Sequence, residues 1–254
     1  MHKKIKILAV IFIALILINT CAFAAPTGIA IPTIEVAVNE SASPEETVTT
    51  LQIIALITIL SLAPAILIMM TSFTRIIIIL SFLRNALGTQ QMPPNQILIG
   101  LALFLTLAIM SPTITRINEE AFTPYVDGQI SQDVALENAG GIIKTFMLSQ
   151  LRGETELGLF MDLGEVEASA PEELPLSVVI PAFILSELKL AFQIGFILYI
   201  PFLVIDMIVA STLMSMGMMM LPPTTISLPF KILLFVLVDG WALVVQSVVN
   251  GFMV

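Results

Sequence analysis

The stretch Pro181–Trp241 constrains this chain more than any other. Two long apolar runs are joined by a methionine-rich turn that ends in Pro222–Pro223. Glu187, Lys189, Asp206 and Lys231 lie inside or beside the runs, and Asp239 lies near the end. A charge within a hydrophobic segment is costly unless it is paired or used, so the fold must supply these groups with partners. Val178–Ile205 is apolar over about 28 residues, longer than one untilted span, and Pro201 is expected to bend it. Ile226–Val249 forms the second run, with Pro229 near its start, where the first turn of a helix tolerates proline.

Composition agrees with a membrane protein. Hydrophobic residues make up 57% of the 254, and charged residues only 11%, against roughly 25% charged in soluble domains. The net charge of −9 is concentrated: residues 113–177 hold twelve acidic and three basic side chains, an excess as large as the whole net charge. A polar, acidic insert thus separates two apolar halves. No basic patch is present, which argues against nucleic-acid binding.

At the start of the sequence, Lys3, Lys4 and Lys6 precede the apolar stretch Ile7–Ile18, and Ala22-Phe23-Ala24 offers a small-x-small cleavage site before Ala25. Residues 1–24 read as a secretory signal peptide, the alternatives being an uncleaved first membrane helix or a lipoprotein signal ending at Cys21. Cleavage would remove His2 and Cys21, the only histidine and cysteine. Triads, thiol chemistry and most zinc schemes then lose their side chains, so no enzyme activity, cofactor or metal is expected. Residues 25–47 are polar and proline-punctuated, an exported flexible linker, with Ser43 or Thr47 as a cap for the next helix.

Residues 48–112 form the first apolar half. Leu51–Met70 supplies about 20 residues, enough to cross a hydrocarbon core, with a kink expected at Pro64. Phe73–Leu87 stays apolar but carries Arg75 and Arg84; Gly88–Pro94 is a turn; Ile97–Met110, about 14 residues, is short for a span. Arg75 and Arg84 have no acidic residue nearby in sequence, so they read as cytoplasmic topology anchors or partner contacts. Alternation then places the acidic insert 113–177 outside the cytoplasm, and the second hairpin, 178–254, enters and returns. Within the insert, Ile142–Leu151 has helical periodicity bracketed by Gly140–Gly141 and Gly153, and Glu165–Pro175 is an acidic loop. It lacks EF-hand spacing, so a solvated acidic face with one or two short helices is the plain reading.

The residues alone leave two questions open. Met214, Met216, Met218, Met219 and Met220 crowd one turn. Thioether chains fill irregular gaps, so these can pack an ordinary hairpin tip; several copies around an axis would instead make a deformable apolar seal; a copper(I) site is a third option. Glu187 and Lys189 are two positions apart and point away from each other on a helix. Glu187 could meet Lys231 from the returning helix, in the same subunit or the next, while Asp206 and Asp239 take caps, polar groups or Lys189. The functional alternative is a proton relay through Glu187, Asp206 and Asp239, as in a small-solute or ion transporter using intramembrane carboxylates.

Three segments carry a family resemblance: SFTRIIIILSFLRNALGTQQMPPNQILIGLALFLT, SELKLAFQIGF and PFLVIDMIVASTLMSMGMMMLPPTTISLPFKILLFVLVDGW. They are similar to the FliP family of flagellar and type III secretion export-gate proteins, over most of Leu51–Val249. The resemblance implies an all-α membrane protein of kinked helical hairpins with a small extracytoplasmic helical insert, assembling into a pentameric ring. Its implied partners are FliQ and FliR, with FlhA and FlhB nearby, and its implied place is the inner membrane of the flagellar basal body. It implies a closed central channel for unfolded export substrates, with Met218, Met219 and Met220 as a gasket and Met214 and Met216 adjoining it. It also implies that Glu187 and Lys231 pair between subunits.

Overall fold

The computed structural model describes residues 44–252, apart from 90, 169 and 219. The signal peptide with Ala22, Ala24 and Ala25, the linker before Pro44, and Met219 lie outside the described residues. The chain divides into two units between Thr58 and Ile59, and the core and all sites lie in the second. Helix α1 (Pro44–Met69) runs unbroken through Pro64. It begins at Pro44, inside the stretch read as linker.

All regular structure among the described residues is helical. After α1 come α2 (Phe73–Leu87) and α3 (Asn95–Ile117), a π-helical turn (Asn118–Phe122) and the short α4 (Thr123–Val126). Next are α5 (Gln132–Gln150), α6 (Glu154–Leu163) and a 3-10 turn (Pro171–Glu173). The last three are α7 (Leu176–Ser215), α8 (Pro223–Leu237) and α9 (Gly240–Asn250).

Helix α2 is the centre. Ile76, Ile79, Leu80, Leu83 and Ala86 are sealed from solvent and pack with Leu98 and Ala102 of α3, Ala191 and Phe202 of α7, Phe235 of α8 and Val244 and Val248 of α9. With fifteen residues and neighbours on several sides, α2 is a core helix rather than the return leg of a hairpin. Gly88 stops it: its φ of +75° is left-handed, which costs glycine nothing, and its N–H reaches the Asn85 carbonyl. A second cluster docks the insert on the first turns of α7, where Met147 of α5 and Leu174 meet Val178, Val179 and Phe183.

Two expected boundaries move. Helix α3 does not stop near Met110; it passes through Pro112, and with the π-helical turn and α4 the helical run reaches Val126, 32 residues. Ile114 and Ile117 continue its apolar stripe and line a groove with Met110 and Ile143. In the insert, Gly140–Gly141 do not bracket a helix but lie inside α5, which is capped at its start by Ser131, whose side chain accepts from the Val134 N–H. Glycine costs about 1 kcal/mol in a helix interior, and the burial of Ile142 and Met147 beyond it outweighs that.

Among the described residues, two helical runs, Asn95–Val126 and Leu176–Ser215, are long and apolar enough to cross a membrane, and α8 with α9 forms a third candidate bent by 63°. The forty residues of α7 span about 60 Å at 1.5 Å per residue, twice a hydrocarbon core of ~30 Å. Pro181 and Pro201 lie inside it without ending it.

Candidate functional site

Most of the charges singled out in the sequence are organised into three pairs, each joining segments distant in sequence. At the centre, Arg75 of α2 and Glu187 of α7 form a two-pronged bridge. The guanidinium Nε donates to Glu187 Oε2 at 2.7 Å, and Nη2 donates to Oε1. Their side chains are 1% and 0% exposed. The remaining Nη1 donates to the Gly251 carbonyl at 3.3 Å, and the Phe252 ring lies over the guanidinium, 3.7 Å from Cζ to centroid. The planar fork of arginine fits a carboxylate in a way that a point charge cannot.

The second pair lies where α7 and α8 run side by side. Lys231 Nζ donates to Asp206 Oδ2 at 2.6 Å and to the Ala86 carbonyl at 3.3 Å. Ser227, one turn before Lys231, donates to the other Asp206 oxygen. The Ala86 carbonyl is among those left open at the end of α2, so the lysine also caps that helix. A cleft of about 520 Å³ opens beside the pair, lined by Asn85, Thr89, Tyr199 and Thr225 among others.

The third pair fastens the insert. Lys189 Nζ donates to Glu156 Oε1 of α6 at 2.7 Å. Glu156 is buried and Lys189 mostly exposed. The hydrogen bond from Lys189 holds the Glu156 carboxyl below the usual glutamate range, helped by a backbone hydrogen bond.

These contacts correct several expectations. Within one chain Glu187 and Lys231 do not pair with each other: Glu187 is bridged to Arg75 and Lys231 to Asp206, so the expected contact between the two can only be one between subunits. Arg75 is half of the most buried ion pair among the described residues, and Arg84 braces the α2–α3 turn by donating to the Pro93 carbonyl and the Asn95 side chain. Of the other charges expected to be buried, Lys189 is exposed, Asp206 is partly exposed, and Asp239 is exposed at the α8–α9 break with φ of +51°. Asp206 and Glu187 are each held by a cation of their own. Among the described residues, then, no carboxylate relay through Glu187, Asp206 and Asp239 is assembled. Sequence reasoning missed the roles of Arg75, Glu156 and Ser227. A cation within an apolar run was the available signal for Arg75, the same signal that singled out Glu187.

The methionine turn is built by its ends. Helix α7 terminates in a double hydrogen-bonded glycine cap: Met218 N–H reaches the Leu213 carbonyl and Gly217 N–H the Met214 carbonyl, each at 3.0 Å, with Gly217 at φ +77°. Pro222 and Pro223 then start α8, where a missing N–H costs nothing. The turn presents its side chains outward: Met214, Met216 and Met218 are exposed and Met220 is 98% exposed. None of the described residues covers Met220.

The comparisons with known proteins decide the lineage. A model of the FliP family matches residues 56–248.

The chain belongs to the FliP family.

It is 57% identical over 213 residues to the flagellar biosynthetic protein FliP of Bacillus subtilis, covering 84% of this chain and 96% of the relative. It is 51% identical over 225 residues to its namesake in Aquifex aeolicus, covering 87% and 92%. The Treponema pallidum protein of that name is 45% identical over 225 residues, covering 88% and 83%. The family match begins within α1 and ends within α9, so it takes in all three charge pairs and the methionine turn.

Proposed function

We propose that this chain is a channel-forming subunit of a flagellar protein export gate in the bacterial inner membrane, and that several copies bring their methionine turns together as the seal. The observation that carries this reading is the turn itself. An apolar Met220 left 98% exposed on a capped, prolyl-braced loop has its burial supplied from outside the chain, and flexible thioethers suit a seal that must yield and reclose. Family membership supplies the context, since the relatives are flagellar biosynthetic proteins. The length of α7, about twice a hydrocarbon core, supports a gate in which part of each subunit rises beyond the bilayer.

In this reading the subunit assembles as a pentameric ring with FliQ and FliR, next to FlhA and FlhB, and unfolded substrates pass through its axis. The acidic insert that follows α3 faces the periplasm, and the apolar helices on either side of it build the wall. The insert is held to the wall by Lys189–Glu156 and by its apolar docking on α7. The solute-transporter reading gains nothing from the geometry, because Asp206 is taken by Lys231 and Ser227.

The test is a deletion strain complemented with the tagged chain, scored for secretion of filament protein, together with native mass of the purified complex. Export that depends on the chain, from a multi-copy assembly, is the expected result. Undiminished export without the chain, or a purified monomer in an export-competent strain, would overturn the reading.

A further inference from the structure

The third donor of Arg75 leads to a feature that the gate reading does not use. Helix α9 buries Val244 and Val248 at helical spacing, and Phe252 continues that stripe. Phe252 does more than fill space, since its ring faces the buried guanidinium of Arg75 at 3.7 Å. The adjacent Gly251 carbonyl accepts from Arg75 Nη1 and also from Arg152 Nη2, both at 3.3 Å. Arg152 sits in the short link between α5 and α6, so it belongs to the insert. One carbonyl therefore ties α9 to the core helix and to the insert at once.

The other end of α9 is coupled as tightly to α8. Gly240 starts α9 where a Cβ would lie 2.2 Å from the Phe235 ring, and Trp241 packs edge-on against that ring at 5.4 Å. Phe235 in turn lies against Phe202 of α7 at 6.3 Å. The elbow has little room for α9 to move without shifting α8, and α8 begins at the methionine turn.

We infer that Gly251–Phe252 is a clasp that positions the α8–α9 elbow, with Phe252 and Arg152 as positioning residues through which the insert sets the placement of the methionine turn. Its effect on the seal rests on the gate reading above; the clasp itself does not. Three features distinguish it from ordinary packing: the aromatic face is used by a desolvated cation, the carbonyl is shared by two arginines, and the arginines come from parts of the chain 77 positions apart (75 and 152). Losing a desolvated cation–π contact or a charge-assisted hydrogen bond changes an opening equilibrium by roughly tenfold or more.

The experiment is hydrogen exchange on the full chain in its purified assembly, for wild type, Phe252→Leu, Phe252→Tyr and Arg152→Met. Leucine keeps apolar bulk without the ring face; tyrosine keeps the face; methionine keeps the stem of Arg152 without its donors. Amides of 241–250 should exchange about tenfold or more faster in Phe252→Leu and Arg152→Met, and near the wild-type rate in Phe252→Tyr. Unchanged exchange in Phe252→Leu would reduce Phe252 to packing and overturn the clasp. An Arg152→Met effect confined to 150–156 would overturn the link to the insert. The same variants are then scored for ion leak. A loosened α9 with no leak, in an assembly that leaks when Met218–Met220 are replaced by Ala, would overturn the link to the turn. If that alanine variant is also tight, the seal reading fails, and the exchange data still judge the clasp.

Discussion

Removing one partner of the Arg75–Glu187 bridge should cost more than any other single polar change in the chain. The two side chains are 1% and 0% exposed, so water cannot replace the lost partner without opening the α2–α7 contact. In Glu187→Gln the shape is kept and the countercharge is lost, leaving a buried guanidinium with only the Gly251 carbonyl and the Phe252 ring. Breaking a buried pair in this way costs about 3–5 kcal/mol, a third or more of a typical stability of about 5–15 kcal/mol. The opposite outcome is expected when both charges go. Arg75→Met with Glu187→Met removes two desolvation penalties together, and such replacements are often neutral or stabilising by about 1–4 kcal/mol. The assay is denaturant unfolding in mild detergent followed by the fluorescence of Trp241, the only tryptophan, whose ring reports on Phe235. A Glu187→Gln loss below about 1 kcal/mol, or a double variant no more stable than either single one, would refute the reasoning.

Lys231→Met should cost less, about 1–3 kcal/mol, because Asp206 keeps Ser227 and partial access to water; parallel unfolding curves with Glu187→Gln check the order. Gly195→Ala places a Cβ 2.6 Å from the Phe82 ring and should lose about 1–3 kcal/mol by overpacking, with much of the loss recovered in the double variant carrying Phe82→Leu. The Glu156 carboxyl, held low by Lys189, contributes stability that is fully present above the ordinary glutamate range and lost as the pH falls through its lowered value. Exchange of the α6 amides should therefore quicken on acidification below that range, and Lys189→Met should diminish this step while leaving neutral-pH exchange of α2 unchanged.

The all-helical class and the membrane character were legible because apolar run length and charge depletion report directly on the solvent a segment faces. The methionine turn was legible as a turn because Pro222–Pro223 is a local signal with fixed backbone consequences. The partners of the charges were not. Arg75 and Glu187 are 112 positions apart, and periodicity carries no information about which helix faces which. Pairing Glu187 with Lys231 inside one chain is reasonable only while the two apolar runs are considered alone; within the chain α2 supplies Arg75 to Glu187 and the Ala86 carbonyl to Lys231. The end of α3 was misplaced because the unbroken apolar run stops at Met110, yet the helix passes Pro112, which removes only one ladder bond, and its apolar stripe continues to Ile117. Gly140–Gly141 misled for the same reason: a local penalty was outweighed by tertiary burial.

We propose a multi-subunit gate sealed by outward-facing methionines. Its most direct test is the ion conductance of the purified assembly in planar bilayers, comparing wild type with a variant in which Met218, Met219 and Met220 are all replaced by alanine. A closed wild-type assembly and a conducting variant of the same native mass are the predicted result. Equal conductance in the two, at equal mass, would contradict it.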